Sequence, residues 1–143
     1  MTGTAILLPV VGMFVLTFLV WTYLYIRRIG YMRRQRINPQ AVRSPERGRE
    51  LLPEEINYPA HNLANLSELP IVFYALCLLL YITAMADTID VAAAWTFLLF
   101  RAAHSAIQCT FNRVMLRFSV YMVSALILWF MVARTALRIF PGT

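Results

Sequence analysis

The chain contains no lysine: all 13 of its basic residues are arginine, set against only seven acidic residues. Its two cysteines, Cys77 and Cys109, fall in or beside apolar runs without metal-ligand spacing. Both therefore read as unpaired packing residues, and neither a disulfide framework nor a zinc site is expected. A glycine-rich phosphate loop, a metal-ligating cluster and a nucleophile–base constellation are all missing, which removes the usual nucleotide-binding, metalloenzyme and hydrolase readings. Charge is scarce as well. Only 14% of residues are charged while 60% are hydrophobic, and the mean hydropathy is +0.63. That balance is too apolar for a soluble domain and fits an integral membrane protein. The net charge of +6 does not argue for nucleic acid, because the arginines gather beside an apolar run, where they set membrane orientation.

What is present is a set of long apolar segments. The residues from Ala5 to Ile26 carry no charge and, at ~1.5 Å per residue, cross a hydrocarbon core of ~30 Å. The arginines follow this run instead of preceding it, so it reads as a retained helix and not as a secretory signal. Pro9 falls in its first turns, where a missing amide matters little, and Gly12 permits close helix contact. The pattern predicts an all-α membrane protein, one domain over residues 1–143, with four transmembrane helices at about 5–32, 59–86, 91–110 and 113–139. The stretch from Arg27 to Glu55 holds eight Arg against four Glu, broken by Pro39, Pro45, Gly48 and Pro53. By the positive-inside rule the loop 33–58 faces the cytoplasm and both termini lie on the other side. The short acidic turn from Asp87 to Asp90 suits an outer loop. Arg134 and Arg138, near the outer end of the last helix, read as snorkelling anchors.

Two of these helices carry polar stripes. At ~100° per residue, His61, Asn65 and Glu68 share a ~60° sector of the second helix, and Arg101, His104 and Gln108 share one of the third. Pro70 cannot donate to the carbonyl of Leu66, which predicts a kink beside Glu68. Counted from the cytoplasmic ends, Glu68 and Arg101 lie ~13 Å deep, Asn65 and His104 ~9 Å, and His61 and Gln108 ~3 Å. The rows match in height, and a Glu68–Arg101 ion pair is expected, since each charge in a membrane needs a partner. Arg113 and Arg117, four residues apart, share one face of the fourth helix. The alternative for all these groups is interhelical glue or lipid-headgroup anchoring. A haem held between His61 and His104 is disfavoured by the offset of their depths.

The ordered combination of Asn65-x-x-Glu68 followed by Pro70, then Arg101-x-x-His104, then Arg113 and Arg117, resembles the MAPEG family, the membrane-associated proteins of eicosanoid and glutathione metabolism, and within it the microsomal prostaglandin E synthase and glutathione transferase branch. The resemblance covers nearly the whole chain. It implies a homotrimer of four-helix bundles, glutathione as co-substrate held between subunits, and a lipophilic small molecule arriving from the bilayer. Arg117 corresponds to the residue that stabilises the glutathione thiolate. His61, Asn65, Glu68, Arg101, His104, Gln108 and Arg113 would line the glutathione site, with Arg101 and Arg113 on its carboxylates. The chain departs from the family pattern at His61, Leu69 and Gln108, where relatives often carry Arg, Tyr and Tyr. The other reading is a non-catalytic scaffold or accessory subunit of a larger membrane complex.

Overall fold

The computed structural model describes residues 2–140, and these are helical with no strand among them. A four-residue helix α1 (Thr2–Ala5) leads, after Ile6, into α2 (Leu7–Arg34). Ile6 keeps helical dihedrals. The interruption falls where Pro9 has no amide to offer the Ala5 carbonyl four residues before it. After a 3₁₀ turn at Pro39–Val42 come α3 (Pro45–Leu51), α4 (Glu54–Leu66), α5 (Leu69–Ile82), α6 (Thr88–Cys109) and α7 (Val114–Ile139).

Three stretches of the described residues are long and apolar enough to cross a membrane: Gly3–Arg34, Glu54–Ile82 and Val114–Ile139. With 22 residues, α6 is also long enough, at ~1.5 Å per residue, but Asp90, Arg101, His104 and Gln108 lower its hydropathy. It packs along α7 and against α2 and α4, completing a helical membrane bundle. The core is apolar and close-packed: Phe73 stacks on Phe97 at 4.5 Å, and Met13, Leu80, Leu128 and Met131 are fully buried. Gly12 serves as expected, since a methyl group there would intrude on the Leu98 side chain of α6.

The second expected helix, 59–86, differs from the sequence reading at three points. It begins at Glu54, so Pro59 sits inside α4 and not at its start. It breaks at Ser67 and Glu68, and α5 restarts with Pro70 in its first turn. A proline disfavours helical dihedrals in the residue before it and cannot continue the hydrogen-bond ladder, so the kink became a full interruption. It ends at Ile82, because Ala84 adopts a left-handed conformation (φ 55°). Ala84 and Met85 then donate back to Tyr81 and Leu80 at 3.1 and 3.0 Å, a Schellman closure made without glycine.

The Asp87 to Asp90 segment is a helix start as well as a turn. Asp87 caps α6 by accepting from the amides of Ile89 and Asp90, while the Asp90 carboxylate accepts from the Asp87 amide. Arg134 and Arg138 are not free snorkelling anchors. Arg134 bridges Asp87 and Asp90, and Arg138 donates to Asp90 at 2.8 Å and to the Met85 carbonyl. The acidic turn and the end of α7 are neighbours in space, so each neutralises the other. The Arg134 guanidinium holds the Asp87 carboxyl down at about 2.

Because that folded-state value lies below the ~3.9 of an unfolded aspartate, the Asp87 contribution to stability is complete above about pH 4 and disappears as the pH falls toward 2. Thermal unfolding in detergent should therefore weaken over that window in the native chain and flatten in Arg134→Gln. Asp90 is fully buried, while Arg134 keeps Asp87 and Arg138 keeps the Met85 carbonyl without it, so Asp90→Ala should cost ~1–3 kcal/mol through the lost charged hydrogen bonds, read as a lower midpoint at neutral pH.

Candidate functional site

The break between α4 and α5 organises the polar interior. In an unbroken helix the Asn65 carbonyl would accept from the amide four residues on, but at the break its only backbone donor is the Glu68 amide, at a long 3.4 Å. Arg101, on the facing α6, is fully buried and donates from Nη2 to that carbonyl at 2.9 Å. It forms no ion pair with Glu68, which is exposed beside the break. The expected Glu68–Arg101 bridge is therefore absent: interrupting the helix turns Glu68 outward and offers the guanidinium a main-chain oxygen instead.

Other stripe residues do meet. Asn65 donates to the Gln108 side chain at 3.0 Å, pairing one turn away from the expected match with His104. One turn deeper into the loop end, Asn62 accepts from Ser105 at 3.3 Å and donates to Cys109 Sγ at 3.5 Å. Asn62 and Ser105 were missed, although each lies three residues before a stripe member, the spacing that places side chains on one helical face. Both cysteines are free.

Towards α7, His104 is buried and its ring lies 5.7 Å from the ring of Tyr121. The Arg101 guanidinium lies 5.5 Å from the same ring, within cation–π range. Tyr121 was also missed, and its signal was its position four residues after Arg117. Arg117 itself donates from Nη1 to the Asn112 side chain at 2.5 Å. Asn112 makes the turn between α6 and α7 with positive φ (45°), a conformation asparagine tolerates better than most residues. Arg113 is exposed at the cap of α7.

His61 is separated from the rest. It lines a cavity of about 390 Å³ under the arginine-rich segment, together with Arg28, Arg43, Arg49 and Asn57. Asn57 pins that segment down by donating to the carbonyls of Gly48, Leu52 and Pro53 and accepting from Arg28 at 3.3 Å. His61 thus faces the loop while His104 faces Tyr121.

Three nitrogens of this interior are buried without a hydrogen-bond partner: Nε and Nη1 of Arg101 and Nδ1 of His104. A buried donor left unpaired costs ~1–3 kcal/mol, more when it is charged. The side of Arg101 not spent on the Asn65 carbonyl thus holds two nitrogens without a hydrogen-bond partner, facing the Tyr121 ring.

A model described as the MAPEG family matches residues 6–137. No curated protein and no solved structure matches the chain.

The hydrogen bond to the Asn65 carbonyl and an ion pair to Glu68 predict different mutant behaviour. Arg101→Ala should destabilise the solubilised protein by ~1–3 kcal/mol, because it leaves the buried Asn65 carbonyl with only the long Glu68 amide bond. Glu68→Gln, at an exposed site without a bonded partner, should stay within about 0.5 kcal/mol of the parent. Thermal melts of the two variants side by side check this.

Proposed function

The chain belongs to the MAPEG family, and on that premise we propose that it binds glutathione as co-substrate and acts as a transferase, isomerase or peroxidase on a lipophilic electrophile that arrives from the bilayer. We place this site in a homotrimer whose arginine-rich loop faces the cytoplasm. The observation that carries the reading is Arg101, a fully buried guanidinium with two nitrogens unspent. Such a cation within a membrane bundle asks for a carboxylate, and the fork geometry of arginine suits a bidentate one.

Glutathione offers two carboxylates, an amino group, two amides and a thiol. In this reading Arg101 receives one carboxylate and Arg113, exposed at the cap of α7, receives the other. Asn65 and Gln108 exchange their mutual hydrogen bond for the tripeptide amides, and Glu68 takes the amino group. His104 completes the polar wall, while His61 stays apart from it, facing the loop cavity. When bound, glutathione supplies the attacking sulfur. Arg117, held in place by Asn112, favours the thiolate over a thiol whose ordinary pKa of ~8.5 leaves it mostly protonated at neutral pH.

A non-catalytic scaffold is the second reading, and one feature favours it. Asn62, Asn65, Ser105 and Gln108 already satisfy one another, as interhelical glue does. Leu69 and Gln108 also stand where relatives often carry Tyr.

Titration calorimetry of the detergent-solubilised protein with glutathione separates the two. Saturable heat supports the enzyme reading, and no heat at millimolar ligand removes it. In a conjugation assay with a small aromatic electrophile, Arg117→Ala should lower turnover by ~10²-fold, the usual loss when one electrostatic stabiliser is removed, while glutathione heat persists. Unchanged turnover would show that Arg117 has no thiolate role.

A further inference from the structure

A second pair of cavities lies about 120° round α6 from the Arg101 face, counting ~100° per residue. At the loop end of the bundle, a chamber of about 510 Å³ is lined by Tyr23, Arg27, Glu55, Tyr58 and Cys109. Immediately toward the membrane interior, a furrow of about 220 Å³ runs between α2 and α6, with Leu16 and Leu19 on one wall and Ala102 and Ala106 on the other. The two share Tyr23 and Cys109 as lining residues, so they adjoin, polar above and apolar below. None of it is used by the glutathione reading.

The chamber holds one cation and one anion that do not close on each other. Arg27 donates to the Tyr23 hydroxyl at 2.8 Å and lies 5.6 Å from its ring centroid. Glu55, exposed in the first turn of α4, forms no ion pair among the described residues. Opposite charges facing one space without meeting leave a gap that a zwitterion bridges. An anionic headgroup would use Arg27 but be repelled by Glu55. An uncharged chain would use neither. The apolar furrow below has the small side chains of Ala102 and Ala106 along one wall, which leaves room for a single hydrocarbon chain.

We infer that this space is a binding site for a bilayer phospholipid with an ethanolamine headgroup. The phosphate sits on Arg27 and the Tyr23 hydroxyl, the primary ammonium donates to Glu55 beside Tyr58, and one acyl chain descends between α2 and α6. A choline headgroup has no N–H for Glu55 and is excluded from that hydrogen bond. Cys109, at the junction, lies beneath the bound lipid.

Native mass spectrometry of the delipidated full chain, titrated with phosphatidylethanolamine, phosphatidylcholine and phosphatidylglycerol in turn, tests this directly. Phosphatidylethanolamine should be retained about tenfold better than either other lipid, as expected for one additional hydrogen bond to a charged group. Arg27→Gln should lower its retention about tenfold by the same measure, and Glu55→Gln should erase the headgroup preference while the protein still melts cooperatively. Equal retention of all three lipids, or a preference that survives Glu55→Gln, overturns the proposal. Maleimide labelling of Cys109 gives an independent readout: adding phosphatidylethanolamine should slow it, and Arg27→Gln should abolish that protection. Protection in lipid-free oligomers that disappears on dissociation would mean that a second copy of the chain fills the furrow, and the proposal fails. No readout involves glutathione, so this result and the calorimetry stand or fall separately.

Discussion

A single main-chain oxygen shapes the interior of this bundle. Pro70 cannot take part in the helical ladder, the helix breaks at Ser67 and Glu68, and the Asn65 carbonyl is left facing the protein interior in a setting where water is scarce. Its backbone bond, from the Glu68 amide, is long at 3.4 Å, and a weakly bonded carbonyl is costly in a membrane, where water cannot complete its bonding. A buried arginine from the neighbouring helix completes its bonding, and the same arginine is then committed to a place where two of its three guanidinium nitrogens have no hydrogen-bond partner. Structural need and potential ligand site therefore arise from one event.

The polar groups around this centre fall into two kinds. Asn62 with Ser105, and Asn65 with Gln108, spend their side chains across the α4 and α6 contact and fix the register of those helices. Arg101 and His104 keep nitrogens in reserve and lie against Tyr121. A bundle held only by interhelical hydrogen bonds would have no reason to leave a guanidinium partly unspent. In the proposed glutathione reading Arg101 and His104 are the ligand contacts that need no rearrangement, and the amide side chains are groups that would have to exchange partners.

The opposite end of the bundle has the reverse character. Asp87, Asp90, Arg134 and Arg138 form a closed network in which each charge is matched, with the capping box of α6 built into it. Nothing there is left over for a ligand. The network ties the α5–α6 turn to the last turns of α7, anchoring the end of the bundle that lacks the arginine-rich loop. Polar chemistry at one end is structural, and at the other it is open.

Much of this was legible from the residues alone. Apolar length and the 3.6-residue period identified the helices, the clustering of arginine marked the loop, and the spacing of Asn65 with Glu68 and of Arg101 with Gln108 located two facing stripes. Those properties are local, depending on neighbours within a turn or two of helix. Tertiary structure decided which stripe members meet. Ala84 ends α5 in a left-handed conformation that no glycine announced, Pro70 broke its helix outright and swung Glu68 away, and Arg101 took a carbonyl, an acceptor carried by every residue and so unmarked in any sequence. The pairing of Arg134 and Arg138 with two aspartates more than forty residues earlier follows the same logic. Periodicity fixes which side of a helix a residue occupies, but the partner it finds there depends on how separate helices dock.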